Sequence, residues 1–230
     1  EYSTHATRPC GGNSAWGDSH TKSGTFSVGA FCYYLATGDG TYIANALCYY
    51  SIGDFLNVIA PYIWEVPDLE DLNRWIQTAQ QHHRYPELPT VSWQKKLKQT
   101  FLRTDWSNDA LYVMFACRTP IQNEHEHIDP AGFEFTAYGR TLLGDPSIYT
   151  YKNDENRKKA KSAHWHNCLT LNHRNPWEYI SSWESGKQDI GDIMCVKQNS
   201  QFMYATAFHM NYRPTRHQRT VAVVDSRFLA

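Results

Sequence analysis

The spacing of apolar residues changes period once along this chain, and that change constrains the fold more than any bulk property. In the first third, apolar side chains recur at helical spacing. The stretch Thr25–Thr37, rich in small and aromatic residues, runs into Gly38-Asp39-Gly40, a strong stop. Thr41 is placed to cap a second helix over 41–59, closed by Pro61. A third helix is expected from Pro67-Asp68, with Leu69, Leu72, Ile76 and Ala79 along one stripe. Beyond the polar link 80–89 the period becomes two. A short buried strand is predicted over 111–116. Over 132–138, Phe133, Phe135 and Ala137 alternate with Glu134, Thr136 and Tyr138, which predicts one buried and one polar face. Further strands are expected over 165–171, 193–198, 202–208 and 219–224. Helices first and strands afterwards imply an α+β chain: a helical segment over 1–85 and an antiparallel β-sandwich over 90–230. The last residues read as one strand and the beginning of another, so the sandwich is expected to be cut at its C-terminal end.

Composition excludes some functions. With 22 basic and 23 acidic residues the formal net charge is −1, so no basic field draws in nucleic acid. The window 41–60 comes nearest to a membrane span, but Asn45, Ser51, Gly53, Asp54 and Asn57 interrupt it. The six cysteines show no paired spacing; Cys32 and Cys48 in helical segments, and Cys117 and Cys195 in strand segments, are expected to be buried free thiols. Aromatic residues, 14% of the chain, suit both sheet packing and the stacking surfaces of carbohydrate clefts.

The chemistry concentrates in about fifty residues. His125-Glu126-His127 places two imidazoles on one side of an extended segment, and Asp145 and His164-Trp165-His166 follow. Imidazole nitrogens and a carboxylate oxygen brought together from such positions form a donor set that zinc accepts. Asp129 or His164 offers a fourth group or a supporting hydrogen bond.

Over 101–172 a set of words in fixed order resembles the heparinase II/III-like polysaccharide lyases. They are Leu102-Arg103 with Trp106 and Asp109-Ala110, then His125, His127, Asp129 and Phe133-Glu134. Tyr138-Gly139-Arg140, Leu142-Leu143, Asp145-Pro146, Tyr149 and Tyr151, Arg157 and His166-Asn167 follow. Trp16-Gly17-Asp18-Ser19 is similar to a word late in that family's helical domain, and a weaker likeness continues over 204–224.

The resemblance implies an (α/α) toroid, of which 1–85 would be the last helices, followed by a large antiparallel β-sandwich. It implies cleavage of a uronic-acid polysaccharide, such as heparan sulfate or alginate, by β-elimination, in the periplasm or outside the cell. It assigns a structural zinc ion to His127, Asp145 and His166, and a catalytic role to His125. The family's catalytic Tyr, and the Asn or His that neutralises the substrate carboxylate, belong to the toroid well upstream of the His-x-His pair. The rest of that toroid is therefore expected from the same parent chain, and Tyr85-Pro86-Glu87, which lies after the helices, does not take the role.

Arg140 and Arg157 are candidates to pair with substrate sulfate or carboxylate groups, and Asn123 and Glu124 to flank the cleft. Trp165 and Trp177 are candidates for stacking on sugar rings or for the core. Two alternatives accompany this reading. A cupin-like metal enzyme also carries His-x-His, an acid and a later His, but it wants a Glu four or five residues after the second His, whereas Glu134 is seven away, and it does not begin with three helices. A carbohydrate-binding fragment that keeps the zinc but does not turn over is the non-enzymatic alternative.

Overall fold

The computed structural model describes residues 5–12, 14–15, 17–19, 25–47, 51–82, 88–120, 125–225 and 227–230. Among the described residues, helices α1 (Thr25–Thr37), α2 (Thr41–Leu47), α3 (Ile52–Ile59) and α4 (Leu69–His82) precede the sheets. Their own core gathers Phe31 and Tyr34 from α1, Ile43 and Ala46 from α2, Phe55 and Ile59 from α3 and Leu72 from α4. The helix expected over 41–59 is divided in two. Ser51 starts α3 afresh: its hydroxyl accepts the Asp54 amide at 3.0 Å and donates to the Asp54 carboxylate at 2.7 Å. Pro61 does not close that helix but sits in the first turn of a 3-10 segment, Ala60–Glu65, where its missing N–H costs no hydrogen bond. Asp68 caps α4 by accepting the Glu70 and Asp71 amides. Of the expected α4 stripe, Leu72 is buried while Leu69 is exposed.

Two antiparallel sheets follow. The first has the order β1 (Val91–Gln94), β2 (Gln99–Arg103), β3 (Tyr112–Ala116), β4 (Gly132–Ala137), β5 (Arg140–Leu143). After a short hairpin, β6 (Tyr179–Ser181) with β7 (Glu184–Ser185), the second sheet is built from β8 (Gly191–Gln198), β9 (Phe202–Tyr212), β10 (Thr215–Val224) and β11 (Phe228–Leu229), adjacent in the order β11-β10-β9-β8. Leu102, Val113 and Phe115 of the first sheet pack with Ile193, Ala205, Ala207, Val221 and Val223 of the second. Phe133 and Phe135 lean on the same cluster, so the two sheets form a sandwich around one apolar layer.

Over β2, β3 and β4 the outer face of the first sheet carries polar residues but is closed to solvent. The described residues between 5 and 19 lie across it: Ala6 joins Phe101, Tyr112, Met114 and Ala116 in a further apolar cluster. Ser14 meets the Tyr112 hydroxyl at 2.8 Å, and Arg103 donates to the carbonyl oxygens of His5 and Thr7. This cover corrects the reading of β4, whose Glu134 and Thr136 were expected in solvent but are buried. It also explains why every residue of β2 and β3 is buried.

Two further expectations are corrected. Residues 165–171 form no strand. Ser162 instead starts a 3-10 turn, Ala163–Trp165, at the end of α5 (Glu155–Lys161), and the Asn175 side chain accepts the Ala163 amide. Cys32 is exposed; Cys117 is buried, Cys195 only partly so, and Cys48 lies outside the described residues.

Candidate metal centre and the histidine beside it

The site is assembled at the end of the first sheet where three excursions meet. Residues 125–129 lead into β4, anchored by buried Ile128, whose amide donates to the Lys161 carbonyl at 2.8 Å. Asp145 follows β5. Its backbone amide donates to the Glu134 carboxylate at 3.1 Å and its side chain accepts the Ser147 amide at 2.8 Å, so the loop is fixed at both ends. His166 follows the 3-10 turn after α5.

The structure brings His127, Asp145 and His166 together, with one donor atom from each lying within 4.8 Å of the others. His127 Nδ1 is 3.0 Å from His166 Nε2, which is 3.4 Å from Asp145 Oδ2. All three side chains are buried. The other ring nitrogens settle which atoms carry hydrogen. His166 Nδ1 lies 2.8 Å from the Ser162 carbonyl, which can only accept, so its Nε2 holds a lone pair in the neutral ring. His127 Nε2 lies 3.0 Å from the Asp18 carboxylate, so its Nδ1 likewise holds a lone pair. Two imidazole lone pairs and a carboxylate oxygen therefore converge with no donor between them. Tetrahedral zinc with bonds near 2.0–2.1 Å to nitrogen sets neighbouring ligand nitrogens about 3.3 Å apart, close to this spacing. The donor set fits zinc.

Electrostatics agree with a cation-binding cluster. Burial pushes His127 down to about 4, keeping the ring neutral and able to coordinate. Burial pushes Asp145 up to about 7 against the pull of His166, as expected of a carboxylate lacking a full counter-charge. Asp129 is raised well above the usual carboxylate range by burial and by the nearby Glu126 charge, and its Oδ2 has no hydrogen-bond partner among the described residues. It does not join the three converging groups, nor does His164, which is exposed beside Lys158, Lys159 and Trp165.

Behind the cluster stands a residue that the sequence reading quoted only as part of a word. Asp18 accepts from His127 Nε2 at 3.0 Å and faces His125 Nδ1 at 3.2 Å. It also receives both terminal nitrogens of Arg157, one of them at 2.6 Å. Burial alone would raise this carboxyl, but the hydrogen bonds from His127 and Arg157 outweigh it and hold Asp18 well below the usual carboxylate range. Arg157, weighed as a substrate contact, is fully buried in this pairing. Asp154 starts α5 by accepting the Asn156 and Arg157 amides.

His125 is half exposed. The Tyr151 and Trp183 rings, stacked at 5.1 Å, both stand edge-on to it at 6.2 and 5.6 Å. Trp183 was not singled out from the sequence; only its late position after the histidine words could have drawn attention. Arg140 is exposed on edge strand β5, Trp165 is exposed, Trp177 is buried beneath the α5 excursion, and Asn123 and Glu124 lie outside the described residues.

Comparison with known proteins places this architecture. The crystal structure of a heparan sulfate lyase from Pedobacter heparinus superposes with a TM-score of 0.64 at 14% identity, over 98% of this chain and 30% of that one. Two heparinase III structures match similarly, with TM-scores of 0.65 and 0.60 at 16% identity, over 98% of this chain and 29% and 32% of theirs. The chain thus spans about 30% of the length of the structures it matches. Among curated proteins no match was found. A family profile described as Heparinase II/III-like, C-terminal covers residues 100–230, more than half of the chain, and on that ground the protein belongs to the heparinase II/III-like family.

Proposed function

We propose that this chain is the zinc-bearing, histidine-presenting portion of a polysaccharide lyase that acts on a uronic-acid polysaccharide by β-elimination. The observation that carries the reading is the convergence of His127, Asp145 and His166, with His125 two residues from a ligand and half exposed beside it. Zinc held there would be structural: it would tie the segment before β4, the loop after β5 and the turn after α5 into one unit.

Elimination across a 4-linked uronate requires removal of the C5 proton and departure of the C4 oxygen. The C5 proton is only weakly acidic while the adjacent carboxylate stays anionic, so neutralising that carboxylate stabilises the enolate-like transition state. In this reading that task, and the catalytic tyrosine, fall to toroid residues of the parent protein. His125 serves as a proton-transferring group on the sandwich side. Arg140, exposed at the β4–β5 hairpin and thus at the opposite end of these strands from His125, is proposed to meet anions of an extended substrate chain, and Asn123 to flank the cleft. The Tyr149-Thr150-Tyr151 segment with its following basic run favours a sulfated glycosaminoglycan over alginate. The proposed setting is the periplasm or the exterior of the cell; no described helix is long and apolar enough to cross a membrane.

Near-ultraviolet absorbance of unsaturated uronate product tests the reading. The parent protein is expected to release it from heparan sulfate or alginate, and His125→Ala to abolish it with zinc content unchanged. A parent protein that releases none from heparan sulfate, alginate, chondroitin or hyaluronan would overturn the lyase reading in favour of a carbohydrate-binding domain. The cupin-like reading gains nothing from the geometry, which is a helix-preceded sandwich of two open sheets.

A further inference from the structure

We infer that Asp18 is a positioning residue that couples the zinc-binding imidazole of His127 to the orientation and tautomer of His125. One oxygen of this carboxylate lies 3.0 Å from His127 Nε2 and the other 3.2 Å from His125 Nδ1. Both oxygens are also held by the two terminal nitrogens of the fully buried Arg157, so the carboxylate cannot swing away from either ring. An ionised carboxylate only accepts. Each facing ring nitrogen must therefore carry hydrogen: Nε2 on His127, which leaves its Nδ1 for a metal, and Nδ1 on His125, which leaves the lone pair on its Nε2. One side chain thus sets complementary tautomers on the two members of the His-x-His pair.

The backbone around Asp18 supports this arrangement independently. The Asp18 amide donates to the His125 carbonyl at 2.8 Å, joining the two segments directly. Gly17 has φ near +60°, and a Cβ built on it would lie 2.5 Å from that same carbonyl oxygen. Only glycine permits so close an approach, so the sequence Gly17-Asp18 is what delivers the carboxylate to the pair. The inference rests on the lyase reading only for what the His125 lone pair would do, and its test does not measure turnover.

The test is imidazole nitrogen NMR on the whole chain, with zinc as the only added ligand and a competing chelator to measure affinity. In the native chain His125 is expected to carry its proton on Nδ1 and His127 on Nε2. In Asp18→Asn the amide NH₂ can donate to a ring nitrogen, so the His125 proton is expected to move to Nε2, and zinc affinity to fall about 10- to 100-fold. Gly17→Ala, which removes no polar group, is expected to lower zinc affinity in the same direction by displacing Asp18. A native spectrum with the His125 proton on Nε2 overturns the inference, and needs no variant to fold. So does an Asp18→Asn or Gly17→Ala chain that keeps native zinc affinity and native tautomers. A mere space-filling role for Asp18 would predict that last result, because Asn has the same shape. Loss of lyase activity elsewhere would leave these readouts untouched.

Discussion

Glu134 receives the backbone amide of Asp145 at 3.1 Å while its two oxygens face the Arg8 guanidinium at 3.0 and 3.4 Å. One buried carboxylate therefore links the segment lying over the first sheet to the loop that carries Asp145. Burial pushes Glu134 up, and the Arg8 charge opposes that shift. Removing Arg8 leaves Glu134 without its counter-charge. Arg8→Met is expected to destabilise the chain by about 3–5 kcal/mol, the usual cost of breaking a buried pair from one side. Urea unfolding followed by fluorescence measures it, and an unchanged midpoint would show that the pair is not held in solution.

The neighbouring histidines should separate cleanly by metal content. His127→Ala and His166→Ala each remove one of three converging donors and are expected to lose stoichiometric zinc on dialysis, whereas His125→Ala keeps it. Elemental analysis of the dialysed proteins decides the point. Zinc lost from His125→Ala but retained by His127→Ala would reverse the two assignments.

Chelation should also report on folding. A ligand that binds only the folded chain stabilises it in proportion to the logarithm of its concentration over its dissociation constant, about 2.7 kcal/mol at a hundredfold excess. Stripping zinc is expected to lower the melting temperature, and adding it back to restore the original value. Calorimetry with and without chelator tests this, and identical transitions would argue against any resident ion.

A pH dependence is expected from the second sheet, away from the metal centre. His209 Nε2 and His217 Nδ1 meet at 2.9 Å across β9 and β10. Burial pushes His209 down to about 4 and also lowers His217. A histidine whose pKa is lower in the folded chain takes up its proton more readily when unfolded. Its contribution is thus fully present above the unfolded value near 6.5 and is lost as pH falls towards about 4. His209 alone accounts for at most about 3 kcal/mol over that window. The acid limb of a stability–pH profile should become shallower in His217→Gln, which removes one of the two facing imidazoles. A limb of unchanged slope would mean that this pair is already protonated in the folded chain.

The two arginines proposed from sequence should behave differently. Arg140 is exposed on an edge strand, so Arg140→Ala is expected to change stability by no more than about 0.5 kcal/mol. If it meets substrate, KM in the parent protein rises. Arg157→Ala leaves the Asp18 carboxylate buried without its cation, and a loss of about 3–5 kcal/mol is expected. Parallel denaturation of the two variants checks the contrast.

Much of this arrangement is legible in the sequence, and the failures have a common physical origin. The alternation over 132–138 correctly places Phe133 and Phe135 against the sandwich core, because those contacts repeat with the pleat. It misplaces Glu134, because period two reports on the strand itself and not on a segment over a hundred positions away that covers its other face. The strand expected over 165–171 fails for a local reason: Ser162 and Asn175 cap a turn there, and their hydrogen bonds outweigh the apolar pattern. The convergence of His127, Asp145 and His166 could be anticipated because residue type and order survive in the words that carry the resemblance. The role of Asp18 could not, since nothing within a word says that its carboxylate reaches two histidines and an arginine in another part of the chain.

The strip of chain from 5 to 19 carries a topological cost. Asp18 and Arg157 are separated by 139 positions, and bringing such distant points of a flexible polymer together costs roughly 4 kcal/mol in entropy. Helices and strands that form between these two points shorten the effective path and lower the cost of bringing Asp18 to Arg157. A protease that severed the link between α4 and β1 would leave the N-terminal fragment, strip and helices together, held to the sandwich by non-covalent contacts that include those of Arg8, Ser14, Asp18 and Arg103. Supplying that fragment in trans should then restore the Asp18 contacts in a concentration-dependent way.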